Sequence, residues 1–122
     1  MNVDKRKPKM TPTTLDVLEV LLSGDKELYG LKIAQTTGVT SGTVYPILAR
    51  LEAVGWVEGH WESTESTDRG PRRKFYRLTP TGLQEARTAV DARDAKRRSA
   101  AAKRLSLGLD RLRVARRLPD PP

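Results

Sequence analysis

Apolar residues recur at helical spacing in three short runs in the first half of the chain. The first run begins at Thr11-Pro12, where a capping hydroxyl is followed by a proline at the first helical position, and it ends at Ser23-Gly24. Its stripe consists of Leu15, Leu18, Leu21 and Leu22. A stripe of this kind is typical of a core, and we assign it to the core and to contact with a second subunit.

The second and third runs lie on either side of a glycine turn. Residues 28–37 form the second run, and Gly38 ends it. Thr40 or Ser41 can cap the third run, and Gly55 closes it. The expected buried positions are Leu28, Leu31, Ile33 and Ala34 in the second run, and Val44, Ile47, Leu48, Leu51 and Val54 in the third. Two short helices joined in this way predict a helix-turn-helix.

Pro46 falls inside the third run, where a proline loses a hydrogen bond and crowds the carbonyl four residues earlier, at Gly42. We therefore predict a bend that directs the first turn away from the packed second half. That turn carries four hydroxyl-bearing candidates for contact with base edges and phosphates: Thr40, Ser41, Thr43 and Tyr45. The alternative is a capped helix whose polar face is merely solvated.

Two segments rich in β-forming residues follow, at 56–62 and 74–79, and the polar loop between them is basic at its far end. A hairpin directly after a helix-turn-helix predicts a wing. Its basic candidates for contact with phosphates or the minor groove are Arg69, Arg72, Arg73 and Lys74. The alternative is a loop that is only soluble.

Trp56 and Trp61 are interpreted as packing residues in preference to a ligand pocket, since they stand at strand spacing beside a small core. His60 is the single histidine, and the chain has no cysteine. Because neither a metal cage nor an acid–base pair can be assembled from these residues, we expect no catalytic residues, no metal and no cofactor. The sequence predicts a protein that is not an enzyme.

The last third predicts a long helix from Pro80 with few apolar residues. The residues assigned to a subunit interface, together with Leu15, Leu18 and Leu22, are Leu83, Val90, Leu105, Leu109 and Leu112. Glycine costs about 1 kcal/mol relative to alanine inside a helix. We therefore expect a break or kink at Gly108.

The net charge of +8 over 122 residues favours a polyanionic partner. Between Arg87 and Leu118 there are eleven basic and three acidic residues, so this segment accounts for the whole net positive charge. Three interpretations of it stay open: a solvated helical face, additional phosphate contacts, and an amphipathic helix on a membrane surface.

The chain divides into a basic N-terminal arm at 1–10, a winged helix-turn-helix at 11–79, a basic dimerisation region at 80–118 and a tail at 119–122. The arm either is a solvated terminus or touches DNA phosphates. The lack of cysteine suits a reducing compartment, and no apolar run reaches the roughly 20 residues of a spanning helix. We expect a cytoplasmic protein with no membrane insertion.

Several stretches together carry a resemblance to a known family. They are Tyr29-Gly30, the run from Gly42 through Tyr45-Pro46 to Glu52, and the run from Arg72 to Thr79 followed by Gly82. Over roughly residues 11–90 the chain resembles PadR-type transcriptional regulators, in their short subgroup with a single C-terminal dimerisation helix.

The resemblance implies a dimeric winged-helix repressor that is mainly α with a small β-hairpin. Ser41, Thr43 and Tyr45 would contact DNA from the recognition helix, and Arg72 with Lys74 from the wing. Arg50 and Glu52 would form an internal ion pair or anchor the wing.

The expected function is sequence-specific binding of double-stranded DNA at an inverted repeat by a homodimer. The alternative is a non-specific nucleic-acid-binding or membrane-surface protein built on the same fold. An inducer that binds among aromatics of the dimer helix has no support, since the last aromatic residue is Tyr76.

Overall fold

A computed structural model describes residues 8–25, 27–63 and 72–116. Within these residues the chain forms α1 (Pro12–Leu22), α2 (Gly30–Thr37), α3 (Ser41–Ala53), β1 (Val57–Trp61), β2 (Lys74–Leu78) and α4 (Pro80–Arg116). The fold is therefore mainly helical with one antiparallel hairpin, as the sequence predicts. Residues 1–7, Lys26, 64–71 and 117–122 lie outside the description, and with them most of the basic arm, Arg69 and the tail.

Helix α1 begins as predicted, since the Thr11 hydroxyl accepts a hydrogen bond from the Thr14 backbone N–H at 3.1 Å and Pro12 takes the first helical position. The apolar faces of α1, α2 and α3 meet in one core. Its buried members are Val17, Leu18, Leu21, Leu28, Ile33, Ala34, Val44, Ile47, Leu48, Leu51, Trp56, Val57, Tyr76, Ala86 and Val90.

The expectation that Leu31 is buried is wrong, because it is 49% exposed. Helix α2 starts at Gly30, two residues later than the pattern suggested, and its buried residues are Gly30, Ile33 and Ala34. Leu31 is next to Gly30 in the helix and therefore points away from this face.

Helix α3 runs as one helix from Ser41 to Ala53 with Pro46 inside it. Its first turn is closed by bonds from the Thr43 and Val44 N–H groups to the Thr40 carbonyl, both 3.0 Å long. The helix tolerates the proline because its second half is secured by buried Ile47, Leu48 and Leu51. The helix ends before Gly55, whose φ of +78° suits glycine.

In the hairpin Val57 pairs with Leu78 and Trp61 with Lys74. The segment before α2 joins the same sheet, since Tyr29 forms a bridge with Phe75 and the Tyr76 N–H donates to the Leu28 carbonyl at 2.7 Å. The hairpin is thus held against the helix-turn-helix by backbone hydrogen bonds as well as by the buried Trp56, Val57 and Tyr76.

The start of α4 packs closely on the turn after α3. The Thr79 hydroxyl donates to the Gly55 carbonyl at 2.6 Å and accepts from the Gly82 N–H at 3.0 Å. A Cβ at position 82 would collide with the Trp56 carbonyl, so this approach requires glycine. Ala86 and Val90 continue the contact and are buried.

The expected break at Gly108 is wrong, because α4 is a single helix from Pro80 to Arg116. A glycine penalty of about 1 kcal/mol is small beside the favourable propensities of the alanine, leucine, lysine and arginine residues around it. The chain divides into two compact units, Met1–Val90 and Asp91–Pro122, and all side chains from Ala95 to Arg113 are exposed.

Across the described segments, no helix combines the length and the apolar character needed to cross a membrane.

Candidate nucleic-acid interface

The first turn of α3 presents hydroxyl groups to solvent. Thr40, Thr43 and Tyr45 are exposed and Ser41 is half-buried. The hydroxyls of Thr40 and Thr43 lie 3.1 Å apart and are hydrogen-bonded. Side chains that both donate and accept suit base edges and phosphate oxygens. The turn therefore has the chemistry expected of a recognition helix.

Tyr45 is held in place by helix α2. Its ring lies directly over Gly30, so that a Cβ at position 30 would overlap the ring atoms. The missing side chain of Gly30 thus leaves the space that the Tyr45 ring occupies. The tyrosine remains accessible on its outer side, with 48% of the residue exposed.

Two exposed arginines of the wing are stacked on aromatic rings. The Arg72 guanidinium carbon lies 5.9 Å from the ring centroid of Trp61, and that of Arg73 lies 4.6 Å from the ring centroid of Tyr29. A guanidinium stacked by one face keeps its N–H groups in the guanidinium plane free for phosphate oxygens. The two arginines therefore present positive charge at the end of the described hairpin.

Lys74 differs from the two arginines, although the sequence groups the three residues together. Its ammonium binds the Glu52 carboxylate of α3, with Nζ 3.0 Å from Oε1, and the Lys74 side chain is only 26% exposed. The hydrogen bond to Glu52 raises the pKa of Lys74. The expected ion pair is therefore confirmed for Glu52, and its partner is Lys74 of the hairpin.

These groups share one concave surface. A cleft of about 740 Å³ lies between the N-terminal parts of α2 and α3 and the hairpin. The residues that line it are Tyr29, Leu31, Tyr45, Trp61, Arg72, Arg73, Lys74 and Tyr76. Helix and wing candidates therefore meet in a cleft that combines aromatic rings with positive charge.

The interpretation of both tryptophans as packing residues is confirmed for Trp56 and wrong for Trp61. Trp56 is 6% exposed, whereas Trp61 is 61% exposed and lines the cleft. Val57, Gly59 and Trp61 share one face of β1 by the alternation of a strand. The core covers only Val57, at the beginning of this face. The position of Trp61 next to the polar loop was the sequence feature that could have indicated its exposure.

His60 lies on the opposite face of the hairpin and is exposed. On the same face Glu58 binds Arg77, whose Nε lies 2.5 Å from Oε1, and this hydrogen bond lowers the pKa of Glu58. The charge of Arg77 is thereby matched by a carboxylate. Within the described part of the chain, no group of three or more His, Cys, Asp or Glu residues could hold a metal ion.

The residues assigned to a subunit interface fall into three groups. Leu18 and Val90 are buried within the chain itself, so they have no surface to offer a partner. Leu15 and Leu22 are half-buried against the same core. The exposed members, all on α4, are Leu83, Leu105, Leu109 and Leu112.

Several solved structures share this fold. MepR of Staphylococcus aureus, a transcription regulator of the multidrug efflux pump MepA, superposes with a TM-score of 0.60 at 18% identity, over 88% of this chain and 80% of its own. PcaV of Streptomyces coelicolor, a transcriptional regulator solved with its natural ligand, gives 0.62 at 19% identity, over 92% and 78%. A transcriptional regulator homologue from Pyrococcus horikoshii gives 0.58 at 21%, over 74% and 84%.

At these identities the structures establish the winged-helix fold and nothing finer. No curated protein matches the sequence. The model of the transcriptional regulator PadR-like family matches residues 17–88, which include α2, α3, both strands and the cleft. The chain therefore belongs to the PadR-like family of transcriptional regulators.

Proposed function

We propose that this regulator is a cytoplasmic repressor whose homodimer binds an inverted repeat in double-stranded DNA. One observation carries the proposal. Tyr45 of the recognition helix and Arg72 and Arg73 of the wing line the same cleft. Groups that read bases and groups that bind phosphates thus face a duplex together.

In this arrangement the first turn of α3 enters the major groove. Thr40, Ser41, Thr43 and Tyr45 make the contacts there, and the wing arginines bind the flanking backbone. Each good contact to a base edge discriminates by about 1–3 kcal/mol, whereas phosphate contacts add affinity for every sequence. A variant of MepR has been solved bound to an oligodeoxyribonucleotide, so a neighbour of the same fold binds DNA.

The proposed dimer forms through α4. Leu105, Leu109 and Leu112 follow one another at intervals of four and three residues, and all three are exposed in the single chain. Such spacing places them on one stripe of the helix. A second copy would cover the stripe and set two recognition helices about one or more DNA turns apart, in half-sites spaced by about 10 base pairs or a multiple of that.

The test is selection of bound duplexes from a random pool by the full-length protein at moderate salt, followed by mobility shifts with the selected and the scrambled sequence. We expect an inverted repeat bound at least about 1000-fold more tightly than the scramble. Equal, salt-sensitive binding to all sequences would contradict the proposal.

One observation favours a second candidate, non-specific binding of polyanions. Residues 91–122 contain ten basic and four acidic residues, and the side chains described there are largely exposed. Such a segment can attract DNA or an anionic membrane surface without reading a sequence. Removing it would then abolish binding to scrambled DNA and to anionic vesicles alike.

A further inference from the structure

The ion pair between Glu52 and Lys74 joins two elements of the reading surface. Glu52 lies on the last full turn of α3, and Lys74 is the first residue of β2. The Lys74 ammonium is also 5.8 Å from the ring centroid of Trp61 and 5.4 Å from that of Tyr76. It is thus surrounded by a carboxylate and two aromatic faces of its own chain.

Gly59 forms the floor beneath this pair. A Cβ at position 59 would overlap the Lys74 side chain and lie 3.2 Å from Glu52 Oε2. The φ of Gly59 is not positive, so the backbone conformation itself does not demand glycine. Position 59 requires a residue without a side chain, because the Lys74 and Glu52 side chains lie directly over its Cα.

We infer that Glu52, Lys74 and Gly59 are positioning residues that fix the wing relative to the recognition helix. Lys74 thereby holds Arg72 and Arg73 in the cleft and does not itself bind a DNA phosphate. This inference rests on the proposed function, since it states how the proposed reading surface is held in register.

The alternative role of Lys74 makes the opposite prediction for its partner. If Lys74 were a phosphate ligand, Glu52 would compete with DNA for the ammonium, and neutralising Glu52 would strengthen binding. If the pair is an anchor, neutralising Glu52 weakens binding even though a negative charge has been removed. The sign of one substitution therefore separates the two roles.

The decisive experiment compares Glu52→Gln, Lys74→Met and the double variant by operator affinity over a range of salt concentrations. For an anchor we expect each single variant to bind about fivefold more weakly, which is modest because the pair is partly exposed. The double variant should be no weaker than either single one, since both changes break the same link.

Glu58→Gln is the matched control. It removes a carboxylate from the same hairpin, but on the face turned away from the cleft, where Glu58 pairs with Arg77. We expect its operator affinity to be unchanged or slightly raised. Tighter binding by Glu52→Gln, with additive effects and a salt slope reduced by about 0.9 in Lys74→Met, would overturn the inference.

Gly59→Ala tests the anchor without changing any charge. The added methyl displaces Lys74 from Glu52, so we expect the same roughly fivefold loss as in Glu52→Gln. Glu58→Gln is again the control, since Glu58 neighbours Gly59 in β1 but lies on the face turned away from the cleft, where it pairs with Arg77. Wild-type affinity of a folded Gly59→Ala variant would contradict the proposed role of the floor.

Amide hydrogen exchange distinguishes failure of this inference from failure of the proposed function. An anchor predicts faster exchange in 57–61 and 74–78 in all three single variants, whether or not DNA is bound. If the wild-type protein selects no operator but the variants exchange faster in these strands, the proposed function is wrong and the anchor is supported. Unchanged exchange would reject the anchor itself.

Discussion

The two compact units of the chain differ in how their apolar residues are used. In Met1–Val90 the leucines, isoleucines and valines of three short helices are largely buried around one core, and thirteen basic residues are nearly balanced by eleven acidic ones. In Asp91–Pro122 the described leucines are exposed, and basic residues outnumber acidic ones by ten to four.

The difference shows that the two units do not share one source of stability. The first unit buries its apolar side chains internally, so its stability comes from its own packing. Among residues 91–113 the helix of the second unit has no buried apolar side chain, and it is formed by residues of good helical propensity. In our proposal a second molecule covers the leucine stripe of this helix and thereby stabilises it.

Removing the second unit should have the largest effect. A chain that ends at Lys96 keeps Ala86 and Val90, the last core residues, and should remain folded as a monomer. Because the two half-sites would no longer be bound as a unit, operator affinity should fall by about 100-fold or more. Sedimentation and mobility shift measure the two effects, and a truncated protein that is still dimeric would refute the assignment of the interface to α4.

A single charge in the stripe should have the next largest effect. Leu109→Glu would place a carboxylate in the proposed interface, and loss of one buried leucine alone costs about 1.5–3 kcal/mol, which is roughly tenfold or more in the dimer dissociation constant. Leu107 is exposed on the opposite side of the same helix, and Leu107→Glu is the matched control. Equal dimerisation of the two variants would place the interface elsewhere.

Sequence preference should depend on the first unit alone. Thr43→Ala and Tyr45→Phe each remove one hydroxyl, and Phe keeps the ring that lies over Gly30. We expect about a tenfold loss of preference for the selected operator over a single-base variant, with dimerisation unchanged. If competition binding shows no change for either variant, the recognition-helix assignment is wrong.

Arg72→Ala should have a smaller and uniform effect. The arginine is stacked on Trp61 and directed at phosphates in our proposal, so binding to all sequences should weaken equally. The slope of log affinity against log salt should decrease by about 0.9 for each phosphate that the protein no longer neutralises. Arg77→Ala, on the other face of the hairpin, is the comparison, and an equal slope change in both variants would argue against a specific wing contact.

Periodicity was sufficient to predict the elements that bury an apolar face. The first and third helices, the hairpin and the start of α4 at Pro80 all follow from apolar spacing and capping residues. The errors occur where neighbouring elements decide the outcome. Leu31 and Trp61 are apolar residues in periodic segments, yet Leu31 points away from the buried face of α2 and Trp61 lies beyond the part of β1 that the core covers.

The cleft could be predicted only in part, for the same reason. The hydroxyls of α3 and the arginines of the wing are visible as local chemistry in the sequence. Two other features depend on how the hairpin packs with α2 and α3. They are the pairing of Lys74 with Glu52, 22 residues away, and the contact of the Tyr45 ring with Gly30. Charge alone predicts four equivalent basic residues in the wing, and among the three that the structure describes, packing makes Lys74 different from the two arginines.

Gly108→Ala should change no proposed contact with DNA, and it tests the helix of the second unit directly. The helix continues through Gly108, and a methyl group there meets open space among the described residues. Alanine should therefore stabilise the helix by up to about 1 kcal/mol through propensity alone. If the helix is ordered mainly by the partner, both copies contribute this gain, and the dimer becomes tighter by up to about 30-fold.

Circular dichroism at falling protein concentration measures the effect of Gly108→Ala. Dilution dissociates the dimer, so the helix content of the alanine variant should decline at lower protein concentration than that of the wild type. Identical concentration dependence would mean that the helix is already fully formed in the monomer. The two units would then differ in how exposed their apolar side chains are, but not in whether each is folded without a partner.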